Sequence, residues 1–210
     1  MIKILVVDDH AVVRRGLRQI LAETPDLHVA GEAGTAGEAM QKVQDERWDV
    51  VVLDVGLAGK SGLDLIADIR KLRPEARVLV LTMFSEEQYA VRAIRAGAAG
   101  FLTQESAPDK IVDAVRKVAG GGRFISPELA ETLASMVAGE GSGKPHERLS
   151  NREFEILKLI GSGKTVSQIA EDLTLSVKTV STHRTRLLRK MDMKTNAELT
   201  HYAVKNELVD

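Results

Sequence analysis

No cysteine occurs in the 210 residues, which excludes disulfides, thiolate chemistry and cysteine-ligated zinc. Long hydrophobic runs are missing too. The apolar stretch at the N-terminus, residues 4–7, stops at Asp8 and Asp9, too early for a signal peptide or a membrane span. The chain therefore reads as cytoplasmic, with no membrane partner. Net charge is almost absent at −1, yet residues 1–143 carry 17 Lys+Arg against 21 Asp+Glu, and residues 144–210 carry 12 against 9. An acidic part followed by a basic part points to separate jobs, the second facing a polyanion. What is present is ordinary for a globular protein: 44% hydrophobic and 28% charged residues, in a length that favours two compact domains.

The first 120 residues alternate short apolar runs (2–7, 27–31, 50–53, 78–81 and 100–102) with helix-period stretches (12–22, 36–46, 62–72, 86–96 and 108–119). Continuous Val/Ile/Leu runs suit parallel strands covered on both faces, and Leu63, Ile66, Ile69 and Leu72 show the helical spacing. Five such units predict a doubly wound, five-stranded parallel sheet of the flavodoxin-like α/β class, assigned to residues 1–120. Ser126, followed by Pro127, caps a further helix ending near Ala138. Residues 139–145 hold three glycines, a serine and a proline, a flexible linker composition, so 121–145 is read as a linker helix plus linker. Over 146–210 the pairs Ser150/Glu153, Thr165/Gln168 and Thr195/Glu198 fit capping boxes, with Ser176 a further cap. They predict a small all-α domain of four helices near 151–161, 166–172, 177–191 and 196–206.

Asp8 and Asp9 follow the first strand and Asp54 follows the third. In a doubly wound sheet these ends share one rim, so three carboxylates converge. Clustered carboxylates resist ionisation unless a cation neutralises them, and a hard divalent ion, Mg²⁺, is the natural partner. A carboxylate in that setting can attack a phosphoryl group. Thr82, ending the fourth strand, reaches the same rim. A single Asp after a strand is as readily a helix cap or a turn residue; three together with a threonine are harder to explain so.

Residues 177–191 contain five Lys/Arg and no acid. On a helix, Val177, Val180, Leu187 and Met191 form a packing side, and Lys178, Ser181, Thr182, Thr185 and Arg189 a polar one. A basic, hydroxyl-rich face behind a short helix and a turn has the helix-turn-helix layout, suited to the major groove. A solvated cationic helix is the plainer alternative.

The segments Val6-Val7-Asp8-Asp9-His10, Val51-Val52-Leu53-Asp54, Leu81-Thr82 and 96–102 resemble receiver domains of two-component response regulators. The segments 149–153, 168–170 and 176–183 resemble the LuxR-type output domain of the NarL/FixJ class. The resemblance implies that Asp54 accepts a phosphoryl group from a sensor histidine kinase, and that Asp8, Asp9, Asp54 and the Gly56 carbonyl hold Mg²⁺. Thr82 would bond the phosphoryl group, and Phe101 matches an aromatic switch position. Receivers usually carry lysine where this chain has Gln104, and often proline at Ala58. A neutral amide forms the weaker bond, so phosphorylation stays chemically available while its coupling to the switch weakens. In the output domain, Ser181, Thr182 and Thr185 would face the groove, with Lys178, Arg184 and Arg186 near phosphates and His183 structural. The last helix resembles a dimerising one, with Asn196, Leu199, Tyr202 and Ala203 its candidate contacts in a homodimer on promoter DNA. The implied function is a phosphorylation-gated transcription factor, not an enzyme. A phosphatase using the acidic rim, a phosphorylation-independent DNA binder and a protein-binding scaffold stay open as alternatives.

Overall fold

The computed structural model describes residues 1–57, 61–106, 108–138 and 144–209, residue 87 through its backbone alone. The chain divides into two compact units at 139/140. The first holds β1 (Ile2–Val7), α1 (Ala11–Ala22), β2 (Leu27–Ala33), α2 (Ala36–Asp45), β3 (Val50–Leu53), α3 (Gly62–Leu72), β4 (Arg77–Thr82), α4 (Glu86–Ala96), β5 (Gly100–Thr103), α5 (Pro108–Ala119) and α6 (Pro127–Val137). All neighbouring strands run parallel in the order β2-β1-β3-β4-β5.

Burial on both faces explains the uninterrupted apolar strands: every residue of β3 is buried. Ile4, Val6, Val50, Val52, Leu79 and Leu81 pack with Leu17 and Leu21 of α1 and Ile111, Val115 and Val118 of α5. The alternate residues, among them Leu5, Val7, Val51, Leu53 and Val80, are equally buried on the opposite face, where α2, α3 and α4 lie side by side. Each buried Val or Leu contributes about 1.5–3 kcal/mol. The edge strand β2 runs two residues beyond its expected end, because backbone pairing of Val6 with Glu32 and Val7 with Ala33 continues after the apolar pattern fades. Gly31 in that strand is required: a Cβ there would lie 2.6 Å from the Trp48 ring.

The first unit also extends past residue 120. The Phe101 N–H donates to the Phe124 carbonyl at 2.9 Å, and the Phe124 N–H to that of Ala99 at 3.0 Å, so the chain after α5 runs along β5. Ser126 accepts the Leu129 N–H at 3.0 Å and donates to Glu86 of α4 at 2.6 Å. α6 is thus docked on α4 rather than free in a linker. Of the expected linker, residues 139–143 lie outside the described residues, as does Ala58, and Pro145 already opens a short 3₁₀ turn, Pro145–Arg148, that touches α9.

The second unit comprises that turn, α7 (Asn151–Gly161), α8 (Val166–Asp172), α9 (Val177–Met191) and α10 (Asn196–Lys205). Ser150/Glu153 and Thr165/Gln168 form complete capping boxes, and Ser176 caps α9 through the Thr179 N–H. Thr195 differs. It accepts the Glu198 N–H, but the Glu198 carboxylate accepts from Lys194 N–H instead of Thr195 N–H, so this box is one-sided. α7 is the hub, contacting α8, α9 and α10; a Cβ on Gly161 would come within 2.7 Å of the Ala203 methyl. Among the described residues, no helix is long and apolar enough to cross a membrane.

Candidate functional site

The strand order reverses between β1 and β3, and side chains following those two strands meet in the crevice at their carboxyl ends. Backbone bonds fix both acids there: the Asp8 N–H donates to the Ala33 carbonyl at 3.1 Å, and the Asp54 N–H to that of Val7 at 2.9 Å. Asp8 and Asp54 are 2% and 4% exposed, while the Asp9 side chain is 27% exposed. Ligand-type atoms of Asp8, Asp9, His10 and Asp54 all lie within 4.8 Å of one another.

Asp8 is the most constrained of these groups. Its Oδ1 accepts the His10 N–H at 2.7 Å, and Oδ2 accepts the Gln104 side-chain amide at 3.3 Å. Burial pushes its pKa up, the His10 N–H bond opposes this, and the negative charges of Asp54 and Asp9 add to the rise against the nearby imidazole. Asp54 Oδ1 accepts the Gly56 N–H at 3.0 Å. A Cβ on Gly56 would stand 3.1 Å from the Phe84 ring and 3.2 Å from Asp54 Oδ2, so glycine keeps the Asp54 carboxylate unobstructed. The donor set is oxygen-rich, anionic and gathered within one ion's reach, which fits a hard divalent cation such as Mg²⁺.

Thr82 is fully buried at the end of β4. Its carbonyl accepts the Gln104 N–H at 2.8 Å, and its hydroxyl lies 3.5 Å from the Phe84 N–H. Phe101 is buried, held by the Phe124 carbonyl. Two residues passed over in the sequence lie close by: His10, with Nδ1 2.9 Å from Asp9 Oδ1, and Phe84, stacked on Tyr89 at 4.6 Å. His10 was visible only as the neighbour of two acids.

In the second unit, α8 and α9 are joined by a turn in which Thr174 takes φ +52°. Lys178, Ser181, Thr182, Thr185, Arg186 and Arg189 are exposed along α9, and Arg184 is half-buried. Thr182 and Thr185 donate their hydroxyl protons to the carbonyls of Lys178 and Ser181, leaving oxygen lone pairs outward. Val180, Leu187 and Met191 are buried as expected, but Val177 is 51% exposed. It occupies the first helical position, where a side chain leans beyond the helix end. Lys190 is engaged internally, its Nζ 2.6 Å from Glu153 of α7. Burial raises the Glu153 pKa, but bonds from Lys190 and from the Ser150 N–H and hydroxyl outweigh it and leave it below the usual carboxylate range. Burial, with the charges of Arg152 and Arg186, lowers the His183 pKa, in keeping with a neutral packing residue.

Of the four candidate dimer contacts, Leu199 and Ala203 need correcting, while Asn196 and Tyr202 are half-buried. Leu199 and Ala203 are 0% exposed on the side of α10 that packs against α7, so they are core. The Tyr202 hydroxyl lies 2.8 Å from His146 Nδ1, and Asn196 Oδ1 accepts from Arg184 Nε at 2.6 Å. The outward face of α10 carries His201, Val204 and Lys205 instead.

Comparison with known proteins agrees with this two-part arrangement. Residues 4–116 match the response regulator receiver domain model, and residues 147–203 match that of the bacterial regulatory proteins of the luxR family. The response regulator UvrY of Escherichia coli K12 is 35% identical, over 99% of this chain and 96% of its own. The oxygen regulatory protein NreC of Staphylococcus epidermidis ATCC 12228 is 38% identical, over 99% of both. Among solved structures, the response regulator ChrA of a heme-sensing two-component system is 32% identical, covering 99% and 98% of the chains with a TM-score of 0.54. RcsB of Salmonella enterica serovar Typhimurium, bound to promoter rprA with phosphomimetic BeF₃⁻, shares the fold at 22% identity, a TM-score of 0.66 and 96% and 97% coverage.

Proposed function

Because this chain belongs to the two-component response regulators of the NarL/FixJ class, which join a receiver domain to a LuxR-type helix-turn-helix domain, we propose that phosphorylation of Asp54 by a sensor histidine kinase gates its binding to promoter DNA. The observation that carries the reading is Asp54 itself: a carboxylate at a strand end, held by the Gly56 N–H and clustered with two further acids. In the transfer, an Asp54 carboxylate oxygen attacks phosphorus as the P–N bond of the kinase's phosphohistidine breaks. The product is an acyl phosphate, which water later hydrolyses back to carboxylate and inorganic phosphate. Mg²⁺, held by Asp8, Asp9, Asp54 and the Gly56 carbonyl, would neutralise the oxygens that crowd together. Thr82 then offers its hydroxyl to the phosphoryl group, and Phe101 and the α4–β5 surface respond.

The output is DNA binding by α9. Ser181, Thr182 and Thr185 read base edges while Lys178, Arg184 and Arg186 hold phosphates; Arg184 must share its guanidinium with Asn196. Two copies bind together through the outward face of α10. Phosphorylation shifts a population between inactive and DNA-competent forms, by no more than its differential interaction with the two. The site of action is the cytoplasm, and the chain is a transcription factor rather than an enzyme.

Treating the full chain with acetyl phosphate and Mg²⁺, then measuring mass, oligomeric state and DNA affinity together, tests the proposal. The expected result is one added phosphoryl group, lost in Asp54→Asn, with tighter DNA binding and dimers. Phosphorylation at another residue, or none, overturns it. A second reading, DNA binding independent of phosphorylation, is favoured by the neutral Gln104 amide beside Asp8; it predicts equal DNA affinity before and after modification.

A further inference from the structure

His10 is the N-cap residue of α1, yet its side chain makes no capping bond. Its backbone N–H instead holds Asp8 Oδ1 at 2.7 Å, which directs the imidazole across the acidic cluster. Nδ1 lies 2.9 Å from Asp9 Oδ1 and 3.3 Å from Asp8 Oδ1, while the side chain as a whole is 65% exposed. Two ligand atoms at right angles on an octahedral ion, each about 2.1 Å from it, stand about 3.0 Å apart. The ring nitrogen therefore sits at the spacing of a neighbouring ligand relative to one oxygen of each acid.

We propose that His10 is a further metal-contacting residue, whose imidazole biases this pocket away from Mg²⁺ and toward first-row transition ions, of which Mn²⁺ gains least. The inference rests on the reading of the pocket as a divalent-cation site and adds to it a nitrogen donor. Carboxylate and carbonyl oxygens alone favour hard ions, whereas imidazole suits the first-row transition ions, whose affinity for nitrogen exceeds that of Mg²⁺. A hydrogen bond from His10 to Asp9 with no role at the metal is the competing account. The two differ in what happens when the ring is replaced: a positioning bond serves every ion alike, whereas a ligand serves the ion that prefers nitrogen.

The test uses the full chain with Mn²⁺ and Mg²⁺ as separate probes at pH 8. Electron spin-echo spectroscopy of Mn²⁺ bound below one equivalent reads ¹⁴N coupling, and calorimetry gives both affinities. The expected result is imidazole ¹⁴N coupling that disappears in His10→Ala, with the Mn²⁺-to-Mg²⁺ affinity ratio falling about tenfold. His10→Gln, which keeps a hydrogen-bonding side chain near Asp9, is expected to show the same loss of ratio. Bound Mn²⁺ without imidazole coupling, coupling that survives in His10→Ala, or both ions weakened equally in His10→Ala would each overturn the role of His10 while leaving the pocket intact. Failure of either ion to bind the unmodified chain would sink the pocket and His10 together.

Discussion

Consider replacing Gln104 by lysine. The Gln104 amide donates to Asp8 Oδ2 at 3.3 Å, a long bond from a neutral donor to a buried carboxylate. A unit positive charge at that distance is worth about 5 kcal/mol gross at an effective dielectric of about 20, most of it cancelled by desolvating the ammonium. In net terms, hydrogen bonds to a charged group contribute about 1.5–3 kcal/mol, with a long amide bond at the low end and an ammonium–carboxylate pair at the high end. The exchange therefore adds about 1–1.5 kcal/mol, roughly tenfold in an equilibrium constant. Before phosphorylation the ammonium pairs with Asp8 and competes with a divalent ion for the same charge, so Mg²⁺ affinity should fall. After phosphorylation it faces a group carrying about two negative charges, and the larger gain lies on that side. The assay is fluorescence anisotropy with promoter DNA, with and without acetyl phosphate, on the native chain and on Gln104→Lys. The ratio of the two DNA affinities should widen about tenfold in the variant. A ratio that does not move, in a variant shown by mass to be phosphorylated, would refute the idea that the missing charge limits the switch.

Ser126→Ala removes both the α6 cap and the bond to Glu86, and should destabilise the first unit by about 1–2 kcal/mol in urea titrations; a loss under about 0.3 kcal/mol would show that α6 is not anchored there. Glu153 has a folded pKa below its ordinary value near 4.5, so its contribution is complete above that pH and is lost as pH falls through the depressed pKa. Lys190→Met should lower stability at pH 7 by about 1–3 kcal/mol, toward the lower end because Lys190 is partly exposed, and flatten the acid limb. An unchanged pH profile in denaturant melts would show that the ion pair does not hold the carboxylate. Lys178→Ala should weaken binding to all DNA sequences alike and reduce the salt slope by about one; a loss confined to one operator position would instead make Lys178 a base reader.

The acidic pocket was legible because its convergence is a property of the backbone. Once residues 2–7 and 50–53 are parallel strands of a doubly wound sheet, Asp8 and Asp54 must share a rim, whatever their side chains do. Caps were legible for a similar reason, since Ser150 and Glu153 meet within a single turn. Thr195 and Glu198 have the same spacing and make only half the box, because the Lys194 N–H is a second donor that the carboxylate takes instead. Spacing gives the reach of a side chain, and the choice between two donors is made in three dimensions.

What the sequence concealed is which polar groups are already committed. Lys190 looks like one more cation on a basic helix, and only the fold reveals Glu153 buried beneath it at 3% exposure. Leu199 and Ala203 were assigned to a dimer by resemblance, although their four-residue spacing on an amphipathic helix fits a core stripe equally well. The close approach of Gly161 and Ala203 decides for the core. A dimer through α10 must therefore use side chains that the single domain does not need. Val204 meets that condition: it is 51% exposed and lies one residue past the buried Ala203, on the side of α10 turned away from α7. A charge placed at Val204 should consequently weaken pairing and leave folding intact, whereas a charge at Ala203 should unfold the domain before pairing can be measured.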